Sequence, residues 1–228
     1  AIVKLMHDAR PAWLILALLL QAGTYVAQAG VWRVVLQRAG ASVPFTLACR
    51  LSLARLFIDQ AVPAMGVSGA ALVARALGRQ GVARTTVMST VAVDAASFYI
   101  AYVIDLAIAL ALLRREGHVS PLIVTAAVLF LCYGSALITA VLSLTRTRPG
   151  RLAARLQEWP VVGRVVEPLQ QGSPRLVHDP ALLARATALQ MLIALLDAAT
   201  VWILLKSLGS DASAGAVFAS FVIASVMR

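Results

Sequence analysis

The chain has 228 residues, 61% of them hydrophobic and only 13% charged, with a mean hydropathy of +0.86. Soluble domains average about 45–50% apolar and about 25% charged, so this composition excludes an ordinary soluble domain and places the chain in lipid. The excess of 20 Lys+Arg over 10 Asp+Glu would suggest nucleic acid in a soluble protein; here the arginines gather in short connections between apolar runs with no aromatics interleaved, which suits anionic lipid headgroups and argues against nucleic acid.

Pro11 to Trp32 is the first predicted span. At about 1.5 Å per residue it covers the roughly 30 Å of a hydrocarbon core. Pro11 suits a helix start, and Trp13 and Trp32 are expected near the two interfaces. The run is too long for a secretory signal and lacks a small-residue cleavage site.

Val43 to Val62 is less apolar and carries Arg50, Arg55 and Asp59. Arg55 and Asp59 stand at i and i+4 and are expected to pair along one helix face. Pro63 ends or kinks that helix. The stretch from Asp59 to Gly81 then brings Gln60, Gly66, Ser68, Gly69 and Arg75. Broken polar backbone at membrane depth survives only where protein covers it or a polar cavity wets it, so this stretch is a candidate binding or permeation site. Ala70 to Leu77 is too short to span. Segment 43–77 has two readings, a polar span followed by a short interfacial helix, or a re-entrant hairpin.

Thr85 to Leu113 is a long span with Asp94 and Asp105 inside it. They lie close to three helical turns apart and face one side. A lone carboxylate at that depth costs about 2.5–3.5 kcal/mol, which demands partners; Arg50 and Arg55 are the nearest intramembrane cations. Val119 to Leu144 is another span. The connection Thr145 to Arg185 is basic and is expected to be a cytoplasmic linker, with Arg151 to Trp159 as a helix lying on the inner leaflet. Ala186 to Leu208 spans again, with Asp197 near its middle. The run from Ala212 is the start of a span, and with Ala1 in first place the chain is expected to be a fragment cut at both ends, a single transmembrane domain over 1–228.

Loop charge sets an expected orientation. With the N-terminus inside and 43–77 returning the chain inside, Lys4, Arg10, Arg75, Arg79, Arg84 and the seven arginines from Arg146 to Arg185 are cytoplasmic; Arg33, Arg38, Arg114, Arg115 and Lys206 are outside. Cys49 and Cys132 fall in apolar runs and read as small buried residues, and His7, His118 and His178 are too scattered for a metal cluster, so neither a cofactor nor a metal is expected.

The order Asp59-Gln60, Pro63, Gly66, Ser68-Gly69, Arg75, Leu77 and Gly81-Val82, followed by a long span, resembles the lysylphosphatidylglycerol synthase transmembrane, or flippase-like, family. Asp94 falls where members often carry an acid followed by arginine; Ala95 follows here. The family's Pro-Gly-Gly-x-Gly-x-x-Glu motif is absent and is expected beyond Arg228. The resemblance implies a multi-pass protein of a bacterial or archaeal cell membrane that moves a modified phospholipid or a glycolipid between leaflets, working as a homodimer or beside a partner enzyme.

Taken together, the sequence predicts an all-α polytopic transmembrane bundle acting as a lipid flippase-like transport unit. Arg50, Arg55 and Arg75 are candidates to hold a lipid phosphate. Asp59, Asp94, Asp105 and Asp197 are candidates for a cationic or sugar headgroup, and Gly66 and Gly69 for the turn that lets backbone approach closely. The bland alternative is that these charges pair only with one another to hold the bundle. A membrane-embedded glycosyltransferase, or its accessory subunit, is the alternative function; Asp59 is its one plausible acid, and no Asp-x-Asp pair or catalytic constellation supports it.

Overall fold

The computed structural model describes residues 11–61, 67–115, 121–144 and 171–226, and their regular structure is entirely helical. The helices are α1 (Pro11–Arg38), α2 (Phe45–Ala61), α3 (Val67–Arg79), α4 (Arg84–Arg115), α5 (Pro121–Leu144), the one-turn α6 (Pro174–Val177), α7 (Pro180–Ser207) and α8 (Ala214–Val226). Among the described residues, three of them, α1, α4 and α7, are long and apolar enough to cross a membrane.

Helix ends follow local chemistry. Three helices stop on a glycine in the left-handed region, Gly40 after α1, Gly81 after α3 and Gly209 after α7, with φ of 72°, 77° and 81°. In each case the next amide folds back onto a leucine carbonyl: Ala41 to Leu36 at 2.9 Å, Val82 to Leu77 at 3.3 Å and Ser210 to Leu205 at 3.0 Å. This is the Schellman closure, which glycine permits without a Cβ clash. Arg38, Arg79 and Lys206 lie in the closing turns, where the helix dipole favours a cation. Asp179 starts α7. Its Oδ1 accepts from Ala181 N at 3.0 Å and Leu182 N at 3.2 Å, and Pro180 takes the first helical position. That cap places the start of α7 six residues ahead of the span expected from Ala186.

The direction of each helix is fixed by its contacts. Arg38 meets Asp179 at one end of the bundle, while Gln21 and Thr24 meet Asp197 further along, so α1 and α7 are antiparallel. Val87, Ala92 and Val93 of α4 pack with Leu182 and Ala186, and Leu106 and Ala109 pack with Ala198, so α4 runs parallel to α7. One apolar cluster, around Val31, Trp32, Val35, Leu77 and Val93, fills the end where α1 finishes. A second, around Leu106, Ala109, Phe218 and Val222, fills the opposite end. His178 ties the first end together: Nδ1 lies 3.0 Å from the Pro174 carbonyl and Nε2 3.0 Å from the Leu142 carbonyl, bridging α6 to the end of α5.

The segment 43–77 resolves into a re-entrant hairpin. Val43 and Phe45 at the start of α2, and Leu77 and Val82 at the end of α3, belong to the same apolar cluster. Chain therefore enters and leaves on one side. With about 1.5 Å per residue, α2 reaches about 25 Å and α3 about 20 Å, so neither alone crosses a core of about 30 Å.

This corrects the expected orientation. The hairpin puts the end of α1, with Arg33 and Arg38, on the same side as the start of α4 and of α7. Arg33 and Arg38 therefore share a side with the end of α5 and with α6, and the start of α1 lies at the opposite end. Both arginines count with the basic side; Lys4 and Arg10 lie outside the described residues.

Two smaller expectations also change. Trp32 is not an interface anchor; α1 continues to Arg38, and the indole is 1% exposed within the core. Cys132 lies on the exposed face of α5, and Cys49 is half-buried. The proposed inner-leaflet helix at 151–159 lies outside the described residues.

Candidate functional site

The polar centre of the bundle is Asp94. Its carboxylate is 6% exposed for the residue and is held by three helices besides its own. Oδ1 accepts from Gln28 Nε2 on α1 at 2.9 Å and from Gln190 Nε2 on α7 at 3.0 Å. Oδ2 accepts from Arg55 Nη1 on α2 at 2.5 Å. The Arg55 guanidinium carbon lies 5.9 Å from the Trp32 ring centroid, so the cation is held on an aromatic face. Three donors on one carboxylate offset the desolvation that a buried charge carries, and an arginine shared between acid and indole has its fork fixed in direction. Through Arg55 the re-entrant hairpin is tied to the long helices.

A second polar pair continues the line. Asp197 on α7 accepts from Thr24 Oγ1 at 3.1 Å and Gln21 Nε2 at 3.4 Å. Gln21, Thr24 and Gln28 stand at i, i+3 and i+7 on α1, and Gln190 and Asp197 at i and i+7 on α7. The two rows form a polar seam between antiparallel helices, extending from the Asp94 centre towards the opposite end. Small residues let α1 and α7 come close. A Cβ added at Gly23 would stand 3.3 Å from Leu196 Cδ1, and one at Gly30 3.5 Å from Leu189 Cδ1.

Asp105 stands apart. It is 1% exposed, and its Oδ2 has no hydrogen-bond partner among the described residues. Its neighbour Leu106 belongs to the second apolar cluster. Asp94 and Asp105 therefore share a helix and a buried side but not an environment.

The remaining candidates fall in three places. Arg50 on α2 and Arg75 on α3 are exposed. Gly69 is buried in the first turn of α3. Asp59 and Gln60 end α2 and Ser68 opens α3, but their side chains lie outside the described residues, as do Pro63 and Gly66; so does the expected Arg55–Asp59 pair. Of the predicted set, the structure brings together Arg55 and Asp94. Gln21, Thr24, Gln28 and Gln190 escaped the sequence reading. Their only signal was uncharged polar residues at helical spacing inside apolar runs.

The family model described as the lysylphosphatidylglycerol synthase TM region matches residues 1–228. The chain belongs to this family. No curated protein and no solved structure matches it. Membership and the three apolar helices make this a membrane protein of a lipid-related family. Helix α2 presents Arg55 to Asp94.

Proposed function

We propose that this chain is the lipid-moving part of a multi-pass protein of the cell membrane, carrying a phospholipid or glycolipid headgroup between leaflets. The observation that carries the reading is the Arg55–Asp94 contact. It joins a hairpin that stops within the membrane to a polar seam running along two crossing helices. A headgroup has to pass about 30 Å of hydrocarbon, and only a polar lining lowers that barrier. In the closed bundle the lining is satisfied by itself, donor against acceptor.

The proposed working step is an exchange of partners. An anionic lipid phosphate offers Arg55 the same bidentate acceptor geometry as Asp94. When Arg55 turns to the phosphate, the hairpin loses its tie to α4, and Gln28 and Gln190 keep Asp94 solvated. Separation of α1 from α7 then exposes the seam to hydroxyl or ammonium groups of the headgroup, with Asp197 next along the route. Exposed Arg75 and Arg50 on the hairpin gather anionic lipid at the membrane surface. The basic end, with the 145–185 connection, faces the cytoplasm by the positive-inside rule.

The test is leaflet exchange in liposomes holding the full-length protein, using fluorescent anionic, aminoacylated and glycosylated lipids in turn. Wild type is expected to speed the exchange of at least one of them above protein-free liposomes. No acceleration across the whole panel contradicts the reading.

A further inference from the structure

A cavity of about 120 Å³ lies in the angle between α1 and α2, at the basic end of the bundle. Its walls include Arg33 and Leu36 of α1, Ser42 and Val43 of the turn, and Phe45 and Ala48 of α2. The turn closes on Gly40, whose positive φ lets α2 fold back beside α1. Arg33 makes no ion pair or hydrogen bond among the described residues; its guanidinium carbon lies 5.2 Å from the Phe45 ring centroid, which holds the cation beside the cavity. No carboxylate lines the space.

Depth adds to this. Helix α1 is about 42 Å long against a hydrocarbon core of about 30 Å, leaving about 6 Å at each end in the headgroup layer. Arg33 is five residues, about 7.5 Å, before the end of α1. It therefore sits where hydrocarbon meets headgroup. An arginine with free donors, a hydroxyl from Ser42 and apolar walls of Leu36, Val43 and Ala48 match a phosphodiester with the first carbons of a lipid below it.

We propose that this cavity holds the phosphate of one anionic phospholipid at the basic end of the bundle. A free phosphate would satisfy Arg33 but leave the apolar walls unused. The site is separate from the Asp94 centre and holds its lipid whether or not the protein moves lipid.

Native mass spectrometry of the detergent-purified protein tests this with phosphatidylglycerol and phosphatidylcholine at equal concentration. The tightest-bound lipid is expected to be phosphatidylglycerol, and Arg33→Gln is expected to weaken it roughly tenfold or more, as loss of charge-assisted bonds implies. Glutamine keeps a planar group over Phe45 at an exposed position, so the fold is retained. Arg115→Gln, at the far end of α4, is expected to leave the affinity unchanged. Equal retention of phosphatidylglycerol by wild type and Arg33→Gln overturns the proposal. So does displacement of the lipid by inorganic phosphate at matched concentration, which would make this a site for a small free anion.

Discussion

Asp94 and Asp105 stand eleven residues apart on one side of α4, yet one has three donors and the other an unpartnered buried oxygen. Sequence spacing shows that both face inward; only the neighbouring helices decide what each meets. The same holds for Arg55. Its depth in an apolar run marked it as needing an acid, and one acid it meets, Asp94, is on another helix, while the expected pair with Asp59 lies outside the described residues. Arg55→Ala leaves Asp94 with only amide donors, at a cost of about 3 kcal/mol, the low end of the range for a broken buried pair because the arginine side chain is 23% exposed. Arg38→Ala removes a surface bridge to Asp179, 2.8 Å long, whose arginine side chain is 63% exposed, and is expected to cost less than about 1 kcal/mol. Thermal unfolding of both variants in detergent checks the order; equal losses contradict it. Asp179 gives a pH prediction. Its hydrogen bond from Arg38, and next the one from the Leu182 amide, hold its carboxyl below the usual carboxylate range. A depressed folded pKa stabilises above the unfolded value of about 3.9 and loses that stabilisation as pH falls through the folded value. Asp179→Asn keeps the helix cap but removes the charge. The variant is expected to melt below wild type at neutral pH and to converge with it in acid; a constant gap across the range contradicts the assignment.

Element existence was largely legible. Long apolar runs gave α1, α4, α5 and α7, but not all of their ends: α1 runs on past Trp32 to Arg38, and α7 begins at Pro180. Trp32 misled because an aromatic near the end of an apolar run reads equally as an interface anchor or a core residue, and only the length of α1 decides. Segment 43–77 was ambiguous because an interrupted 35-residue stretch returns the chain to either side with equal ease. The neutral seam residues were hidden for a different reason. A glutamine or threonine in a span costs far less than a charge, so it does not stand out until a partner helix lies against it. Single cysteines at Ser42 and Gln80, flanking the hairpin, are expected to react with an impermeant thiol reagent from the same side in a background free of Cys49 and Cys132; opposite sides would turn α2–α3 back into a span. Gly23→Leu is expected to push α1 from α7 against Leu196 and to lower the melting temperature by several degrees, as a misfit in a close helix contact does. An unchanged melting temperature would mean that the two helices do not rely on that contact.

At the scale of the molecule, the hairpin and the charge bias together orient the protein. Arg33, Arg38, Arg75, Arg79, Arg84, Arg175 and Arg185 lie on one side of the bundle, against Arg114, Arg115 and Lys206 on the other. The first side is expected to be cytoplasmic, so in intact cells a cysteine at Asp211 is expected to label from outside while Ser42 and Gln80 cysteines stay protected. The reverse pattern contradicts the orientation. The central claim is that the Arg55–Asp94 contact is the part of the bundle that a lipid phosphate replaces during transport. The most direct measurement is leaflet exchange of the best-moved anionic lipid by wild type and Asp94→Asn in matched liposomes. Asparagine keeps the size and an acceptor for Arg55 while removing the charge, so the variant is expected to reconstitute normally and lose most of the exchange, because Arg55 then binds phosphate without a competing acid to release it. Exchange at the wild-type rate by correctly inserted Asp94→Asn would mean that the contact is structural and the route lies elsewhere.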